Sequence, residues 1–134
     1  MTYIADTGFI LARWSKSPAR RRWAYRYLEN GSLPFVTAEA ALIEAGFRLD
    51  KPELAPRLLA DGDYVASLRI ADYAEDLLWL LHKYADRRMD LVDACIVKLF
   101  ELLPDAIILT TDVKDFSIYR TRSGGRLRCD FGPD

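Results

Sequence analysis

Short apolar runs are spaced along the chain in a pattern typical of buried or half-buried strands. They occur at Tyr3 to Ala5, in "LPFV", at Ile107 to Leu109 and, near the end of the chain, in "RLRCDF". A fifth segment, Tyr64 to Leu68, alternates between apolar and polar residues with a period of two. These runs predict four or five strands.

The segments between the strands place apolar residues at helical spacing instead. A helix is predicted from Thr7 to Trp14, and Pro18 opens a second helix that Gly31 ends. Thr37 is predicted to cap the next helix, "AEAALIEAGFRL". The remaining predicted helices are "KPELAPRLLADG", Asp72 to Tyr84 and Asp90 to Leu103.

Strands that alternate with helices predict the α/β class, with a central, mostly parallel sheet of four or five strands between two layers of helices. The chain has 134 residues and no repeat, low-complexity tract or linker, which predicts a single domain over residues 1–134. Ligands of such α/β/α folds bind beyond the carboxyl ends of the strands, where the strand order reverses. Polar residues that directly follow a predicted strand are therefore the first candidates for a site.

Composition narrows the classes of protein that fit. With 19 basic and 20 acidic residues the formal net charge is −1, so any attraction to nucleic acid must come from a local basic surface. Cys95 and Cys129 are too few for a disulfide framework. The segment "MTYIADTGF" lacks the pattern of a signal peptide, and "DLLWLLHKYA" is too short to span a bilayer. These features predict a cytoplasmic protein with no membrane association.

Three acids follow predicted core strands. Asp6 follows "YIA", and Asp112 follows "IILTT" with Asp115 three residues later. Each admits two interpretations: a cap or first-turn acid of the next helix, or a ligand at the sheet edge. Position alone does not decide between them.

Two further acids are predicted on the apolar faces of helices. Glu44 is three residues from both Ala41 and Phe47, and Asp93 is three residues before Ile96. Carboxylates are rarely buried without a partner, because desolvating the ion is costly. A capping role is available to Asp93 in the first turn of its helix. Glu44 is in mid-helix, where the structural alternative is a salt bridge to an arginine.

Carboxylates that converge repel one another and raise each other's pKa unless a cation lies between them. Oxygen ligands suit a hard dication such as Mg²⁺ or Mn²⁺, whereas a zinc site would favour histidine and cysteine, of which the chain has one and two. The hypothesis of one acidic metal pocket requires Glu44 to lie near Asp6 and Asp93. A structure that places Glu44 well away from Asp6 and Asp93, pointing outward or locked to an arginine, would contradict it.

Four motifs, "YIADTGFILA", "TAEAALIEA", "MDLVDACIV" and "LTTDVKDF", occur in this order over essentially the whole chain. Together they resemble a PIN-domain ribonuclease, in particular the small stand-alone VapC-like toxins. The resemblance implies a metal-dependent ribonuclease that hydrolyses RNA phosphodiester bonds with Mg²⁺ or Mn²⁺. It also implies a PIN-like fold with an acidic metal pocket at one end of the sheet.

Carried over by position, the resemblance assigns the site residues. The metal-binding and catalytic acids fall on Asp6, Glu44, Asp93 and Asp112, with Asp115 as an additional metal acid and Thr110 as a supporting hydroxyl. Family members often have Ser or Asn after the first "DT", where this chain has Gly8. That departure is expected to loosen the contacts around the first acid while leaving every carboxylate in place.

An acidic pocket repels RNA, so a basic rim is required. The candidate groups include Arg20 to Arg22 and Arg87 with Arg88, and each also fits a solvated charged face. The most interesting cluster surrounds the Gly124–Gly125 pair in "YRTRSGGRLRCD". Its predicted RNA-binding residues are Arg120, Arg122, Arg126 and Arg128.

Core packing explains most aromatic residues of the first two helices. Trp23 and Tyr27 are four residues apart, which also suggests an exposed aromatic strip that binds a second copy or another protein. The resemblance to VapC-like toxins likewise implies a homodimer and a cognate antitoxin protein.

Two rival classes remain. One is a non-catalytic RNA-binding or scaffold protein of the same fold, although the full set of acids favours the enzyme. The other is a phosphoaspartyl phosphatase or receiver domain. A phosphatase would need a second Asp two residues after Asp6, where Gly8 stands, and a receiver domain would need an early acidic pair.

Overall fold

A five-stranded sheet, parallel throughout, forms the centre of the protein. The computed structural model describes residues 1–133. Along the sheet the strands lie in the order β3-β2-β1-β4-β5. Their bounds are β1 Tyr3–Ala5, β2 Phe35–Thr37, β3 Tyr64–Ala66, β4 Ile107–Leu109 and β5 Cys129–Asp130.

Helices cover both faces of the sheet. Their bounds are α1 Thr7–Ala12, α2 Pro18–Glu29, α3 Glu39–Arg48, α4 Leu54–Ala60, α5 Ala74–Lys83, α6 Leu91–Leu102 and α7 Val113–Phe116. Two turns of 3-10 helix, Ile70–Asp72 and Ala85–Arg87, flank α5.

Successive residues of the central strands point to opposite faces of the sheet, so each face buries its own apolar cluster. Ala5 and Leu109 pack with Phe9, Trp23 and Leu42 in the layer of α1 to α4. On the opposite face, Ile4 and Ile108 pack with Leu77, Leu80, Ile96 and Leu99 of α5 and α6. The predicted three-layer α/β/α architecture is confirmed.

The strand order reverses between β1 and β4. The chain adds β2 and β3 on one side of β1 and then returns to place β4 on the other side. Ala5 and Leu109 are register partners in this pair. Asp6 and Thr110 therefore leave the carboxyl edge of the sheet side by side, at the point where parallel folds bind ligands.

The predicted cap of α3 is wrong. Ala38 precedes the helix and makes no side-chain cap, while the Thr37 hydroxyl donates to the Ala5 carbonyl oxygen at 2.7 Å. Thr37 is fully buried, so its hydroxyl meets its hydrogen-bonding requirement across the sheet rather than at the helix end.

The predicted C-terminal glycine of α2 is confirmed. The helix ends at Glu29, and Gly31 has a φ of 84°, a left-handed conformation that favours glycine. None of the helices in residues 1–133 combines the length and apolar character that crossing a bilayer requires.

Candidate functional site

Asp6 is the most buried acid at the carboxyl edge of the sheet. It directly follows β1, is 6 % exposed, and its Oδ2 accepts a hydrogen bond from Thr110 Oγ1 at 2.7 Å. Burial raises the pKa of Asp6 from 3.8 to about 6, and the negative charges of Glu44 and Asp112 add to the rise. The Thr110 hydroxyl opposes that rise by binding the ionised form.

Asp93 approaches the same edge from α6. Its backbone N–H is bound by the Asp90 carboxylate, Oδ1 at 2.9 Å, which caps the helix, while its own Oδ2 accepts a hydrogen bond from the Tyr119 hydroxyl at 3.1 Å. Burial raises the pKa of Asp93 from 3.8 to about 7, with further contributions from the charges of Asp90, Asp6 and Asp112. Asp93 thus shares an electrostatic environment with both strand-end acids.

Asp112 has the capping role that the sequence left open, while its role as a ligand stays a prediction. Its Oδ1 accepts from the Asp115 backbone N–H at 3.0 Å and caps α7. Its own N–H donates to Thr110 Oγ1 at 3.1 Å, so one hydroxyl joins the backbone of Asp112 to the carboxylate of Asp6. Asp6 also precedes a helix, but its side chain makes no cap there.

Glu44 is locked to an arginine, as the structural alternative required. Its Oε1 is 2.7 Å from Nη2 of Arg48, one turn later on α3. Its Oε2 accepts a hydrogen bond from Thr7 Oγ1 at 3.3 Å, which keeps Glu44 next to the residue that follows Asp6. In this arrangement Glu44 lies close to Asp6 with its carboxylate paired to Arg48, and its role as a metal ligand stays a prediction.

Asp115 is also paired with an arginine. Its Oδ1 is 3.1 Å from Nη2 of Arg87, in the 3-10 turn after α5. The backbone N–H of Asp115 serves the cap of α7. The role of Asp115 as a metal ligand stays a prediction, with its carboxylate paired to Arg87.

The carboxylate oxygens of the site are ligands that suit a hard dication. The side chains are nevertheless too far apart to form a coordination sphere. Asp6, Asp93 and Asp112 present carboxylate oxygens, and the negative charge of Asp112 contributes to the raised pKa of both Asp6 and Asp93. Among residues 1–133, however, no three His, Cys, Asp or Glu side chains lie close enough together to hold one ion. The four acids of the predicted pocket share one edge of the sheet without enclosing a common point.

Gly8 does not loosen the surroundings of Asp6, contrary to expectation. A Cβ at this position would lie 2.2 Å from Thr111 Oγ1, so the threonine hydroxyl fills the space that a larger residue would need. Asp6 stays buried beside it. The contact was not predictable, because Gly8 and Thr111 are far apart in the sequence.

The predicted RNA-binding arginines are all exposed, and their surroundings differ. Arg122 is tied to α5, with its Nη1 2.6 Å from Asp76 Oδ1 and its guanidinium over the ring of Trp79. Arg120 and Arg126 form an antiparallel bridge and line a cavity of about 450 Å³. Arg128 lines a neighbouring cavity.

The prediction of an exposed aromatic strip on α2 is wrong. Trp23 is 1 % exposed and its Nε1 donates to Asp130 Oδ2 at 3.0 Å. Tyr27 donates to the same oxygen. Both rings pack against Phe9, so this surface of α2 anchors β5 instead of offering a face to a partner.

Tyr119 and Arg48 contact the acids and were not identified from the sequence. The contact of Arg48 could have been predicted from the sequence, because Arg48 follows Glu44 by four residues, the spacing of an ion pair within a helix. The contact of Tyr119 could not have been predicted, because its hydrogen bond to Asp93 depends on the packing of the segment after α7 against α6.

No protein-family model matches this chain, and a search of curated proteins also finds no match. The likeness to PIN-domain ribonucleases therefore rests on the four motifs.

Proposed function

We propose that this chain is a metal-dependent ribonuclease of the PIN-domain type that hydrolyses phosphodiester bonds of RNA. The observation that carries the proposal is the arrangement of Asp6, Asp93 and Asp112. They come from β1, α6 and the segment after β4, and they gather where the strand order reverses. The resemblance adds the biological role proposed here, the toxin of a toxin–antitoxin pair.

Electrostatics support a cation at this edge. Burial and neighbouring negative charges raise the pKa of Asp6 and of Asp93 well above 3.8, so the site carries unfavourable charge at neutral pH. A dication bound by the aspartates would favour their ionised forms. Oxygen ligands select Mg²⁺ or Mn²⁺.

The chain's own residues would hold and orient the reacting groups. Asp6, Asp93 and Asp112 are the proposed metal-binding acids, Thr110 fixes Asp6 relative to Asp112, and Tyr119 fixes the carboxylate of Asp93. A metal ion, when bound, supplies an activated water and offsets charge on the scissile phosphate. Glu44 joins this set only if Arg48 releases it.

The test is RNA cleavage with Mn²⁺ by the wild type, Asp93→Asn and a matched control, Asp105→Asn. Asp105 is exposed and precedes β4, at the opposite edge of the sheet. We expect Asp93→Asn to lower kcat by about a hundredfold or more, because metal activation is worth several kcal/mol. Asp105→Asn should cleave like the wild type. Equal activity in all three proteins would refute the proposal.

A second candidate is a non-catalytic RNA-binding or scaffold protein of this fold. The Glu44–Arg48 ion pair favours it, because it leaves the acidic set without a free fourth carboxylate. Titration calorimetry with Mn²⁺ separates the two functions. Binding that Asp93→Asn abolishes supports the enzyme, and no binding by the wild type supports the scaffold.

A further inference from the structure

A small basic pocket adjoins the acidic edge of the sheet. It has a volume of about 300 Å³ and lies between α1, the start of α2, the end of α3 and the segment after β4. The residues that matter to its chemistry are Gly8, Trp14, Ser15, Arg20, Arg48 and Thr111.

The wall of the pocket is continuous with the acidic site. Gly8 is two residues beyond Asp6, and Thr111 directly precedes Asp112. Arg48 lies between the two, since it lines the pocket while its guanidinium binds Glu44 at 2.7 Å. A chain of phosphates that crosses the aspartates would therefore meet this pocket next.

The pocket gathers positive charge in a chain whose net charge is −1. Arg20 and Arg48 line it, and two more cations lie over the Trp14 ring in its wall. The guanidinium carbon of Arg13 is 4.6 Å from the ring centroid, and Lys51 Nζ is 5.3 Å from it. The guanidinium groups of Arg20 and Arg48, with the hydroxyl-bearing residues Ser15 and Thr111 in the same lining, suit a phosphate group. Arg13 and Lys51 add positive charge outside the lining.

We propose that this pocket binds a backbone phosphate of the RNA strand next to the one that is cleaved, and that Arg48 exchanges Glu44 for that phosphate. The inference rests on the proposed function, because it takes RNA as the ligand. It also explains how Glu44 joins the other acids: the substrate removes the arginine that holds it.

The exchange is physically reasonable because the Glu44–Arg48 ion pair is partly exposed to solvent. The side chain of Arg48 is 58 % exposed and that of Glu44 is 24 % exposed, and such surface pairs contribute little to stability. A guanidinium can bind a phosphate through two parallel hydrogen bonds. Thr7, which donates to Glu44 Oε2, remains in place to retain the carboxylate beside Asp6.

This pocket is a better phosphate site than the cluster from Arg120 to Arg128. Arg122 is neutralised by Asp76, with nitrogen and oxygen 2.6 Å apart. Neither Arg120 nor Arg126 is ion-paired with an acid of the predicted site, whereas Arg48 in the basic pocket is ion-paired with Glu44.

The test measures RNA binding without cleavage. All proteins carry Asp93→Asn and are titrated, in EDTA, into a fluorescent single-stranded RNA oligonucleotide over a range of salt concentrations. The pocket variant is Arg20→Gln with Arg48→Gln, and the matched control is Arg26→Gln with Arg57→Gln. Arg26 and Arg57 are exposed on α2 and α4, so both variants lose two positive charges.

We expect the pocket variant to bind more weakly, and its log K to depend less steeply on log salt, by about 1.4 for two lost phosphate contacts. The control should keep the steepness of the parent protein, because its arginines contact no phosphate. Restoring charge with Arg20→Lys and Arg48→Lys should recover part of the affinity. Equal affinity and salt dependence in the pocket and control variants would overturn the inference.

The two proposals fail in different ways. If the wild type does not cleave RNA with Mn²⁺ but the pocket variant loses RNA binding, the nuclease is wrong and the pocket remains a binding site for a backbone phosphate of RNA. If the wild type cleaves and the pocket variant binds like its control, the pocket is wrong and the nuclease stands. Urea unfolding of each variant verifies that the comparison is made between folded proteins.

Discussion

Thr110 joins the two acids that follow the central strands. Its hydroxyl donates to the carboxylate of Asp6 and accepts from the backbone N–H of Asp112, so both of its hydrogen-bonding functions are used. Thr110 is fully buried, which leaves no water to replace either bond. The distance between β1 and α7 at the site thus depends on one side chain.

Thr110→Val should destabilise the protein by about 2 kcal/mol at pH 7, because a hydrogen bond to an ionised group is lost. The change leaves the Asp6 carboxylate with weaker stabilisation, so its pKa should rise above about 6. Thr37→Val is the control, since Thr37 is equally buried but donates to a neutral carbonyl oxygen. Its cost should be about 1 kcal/mol.

Urea unfolding at pH 5 and pH 7.5 checks this prediction. The cost of Thr110→Val should be smaller at pH 5, where Asp6 is largely protonated, whereas that of Thr37→Val should not change with pH. The same cost at both pH values for the two variants would contradict the assignment of the Thr110 bond to a charged partner.

At the residue scale, the sequence predicts which acids reach the sheet edge and not what they bind. Asp6 and Asp112 are identified because they end predicted strands, and Asp93 because its spacing places it on the inner face of α6. Glu44 shows the limit of this reasoning. Helical spacing supports both a buried stripe and an ion pair with Arg48, and only the packing of α1 against α3 decides between them.

At the element scale, the period of the apolar residues locates the helices and strands, but their boundaries are set by tertiary contacts. The predicted helix from Thr7 to Trp14 ends at Ala12, and the strand from Tyr64 to Leu68 ends at Ala66. The order of the strands in the sheet is not encoded in any local period. It follows from which faces of the helices are apolar and from the crossover connections.

The segment between α7 and β5 is held by an ion pair to α5 and by hydrogen bonds to α6. Lys98 Nζ is 2.6 Å from Asp76 Oδ2 and 2.8 Å from Glu101 Oε1. The same two acids bind Arg122 and Ser123 of the segment. Lys98 is thus the central cation of a network that fixes an otherwise irregular stretch of chain.

Lys98→Met should destabilise the protein by about 2 kcal/mol at pH 7, because two charge-assisted hydrogen bonds are lost while the apolar stem is kept. Hydrogen bonds from Lys98 and Arg122 hold the pKa of Asp76 below its ordinary value. A lowered pKa stabilises the folded state above the unfolded pKa, so the effect of the substitution should shrink as pH falls below about 4.

The control is Lys83→Met, at an exposed position in the last turn of α5. It should change the free energy of unfolding by about 0.5 kcal/mol or less. Chemical denaturation of both variants checks the prediction, and equal costs would show that the network contributes nothing.

At the scale of the whole molecule, a near-neutral chain separates its charges in space. The carboxyl edge of the sheet carries Asp6, Asp93 and Asp112, while Arg20 and Arg48 line the adjoining pocket. Composition gives only the sum of the charges, so this spatial separation cannot be predicted from it. It arises because β1, β4 and α6 bring distant acids to one edge.

In the absence of metal, the free energy of unfolding should decrease as the pH rises. The pKa of Asp6 is about 6 and that of Asp93 about 7, against 3.8 in the unfolded chain. Between about pH 4 and 7 the unfolded state binds fewer protons than the folded state, so folding becomes less favourable as pH rises through this window. Asp93→Asn should remove roughly 2 to 4 kcal/mol of this pH-dependent loss of stability. The variant should therefore be more stable than the wild type at pH 7.5.

Mn²⁺ should reverse this loss of stability in the wild type, because a ligand that binds only the folded state stabilises it. Unfolding curves in EDTA and in Mn²⁺, at pH 5 and 7.5, measure both effects. The stabilisation by Mn²⁺ should be larger at pH 7.5 and weaker in Asp93→Asn. An identical response of the two proteins would show that Asp93 carries neither the charge nor the metal.

The close approach of Gly8 to Thr111 has an evolutionary consequence. Since the Cβ of any larger residue at position 8 would lie 2.2 Å from the Thr111 hydroxyl oxygen, the two positions are not free to vary independently. In a descendant of this chain that acquires serine or asparagine at position 8, either the Thr111 hydroxyl adopts another rotamer or a smaller residue replaces threonine at position 111. The residue that follows the first acid by two positions is thereby coupled to the segment after β4.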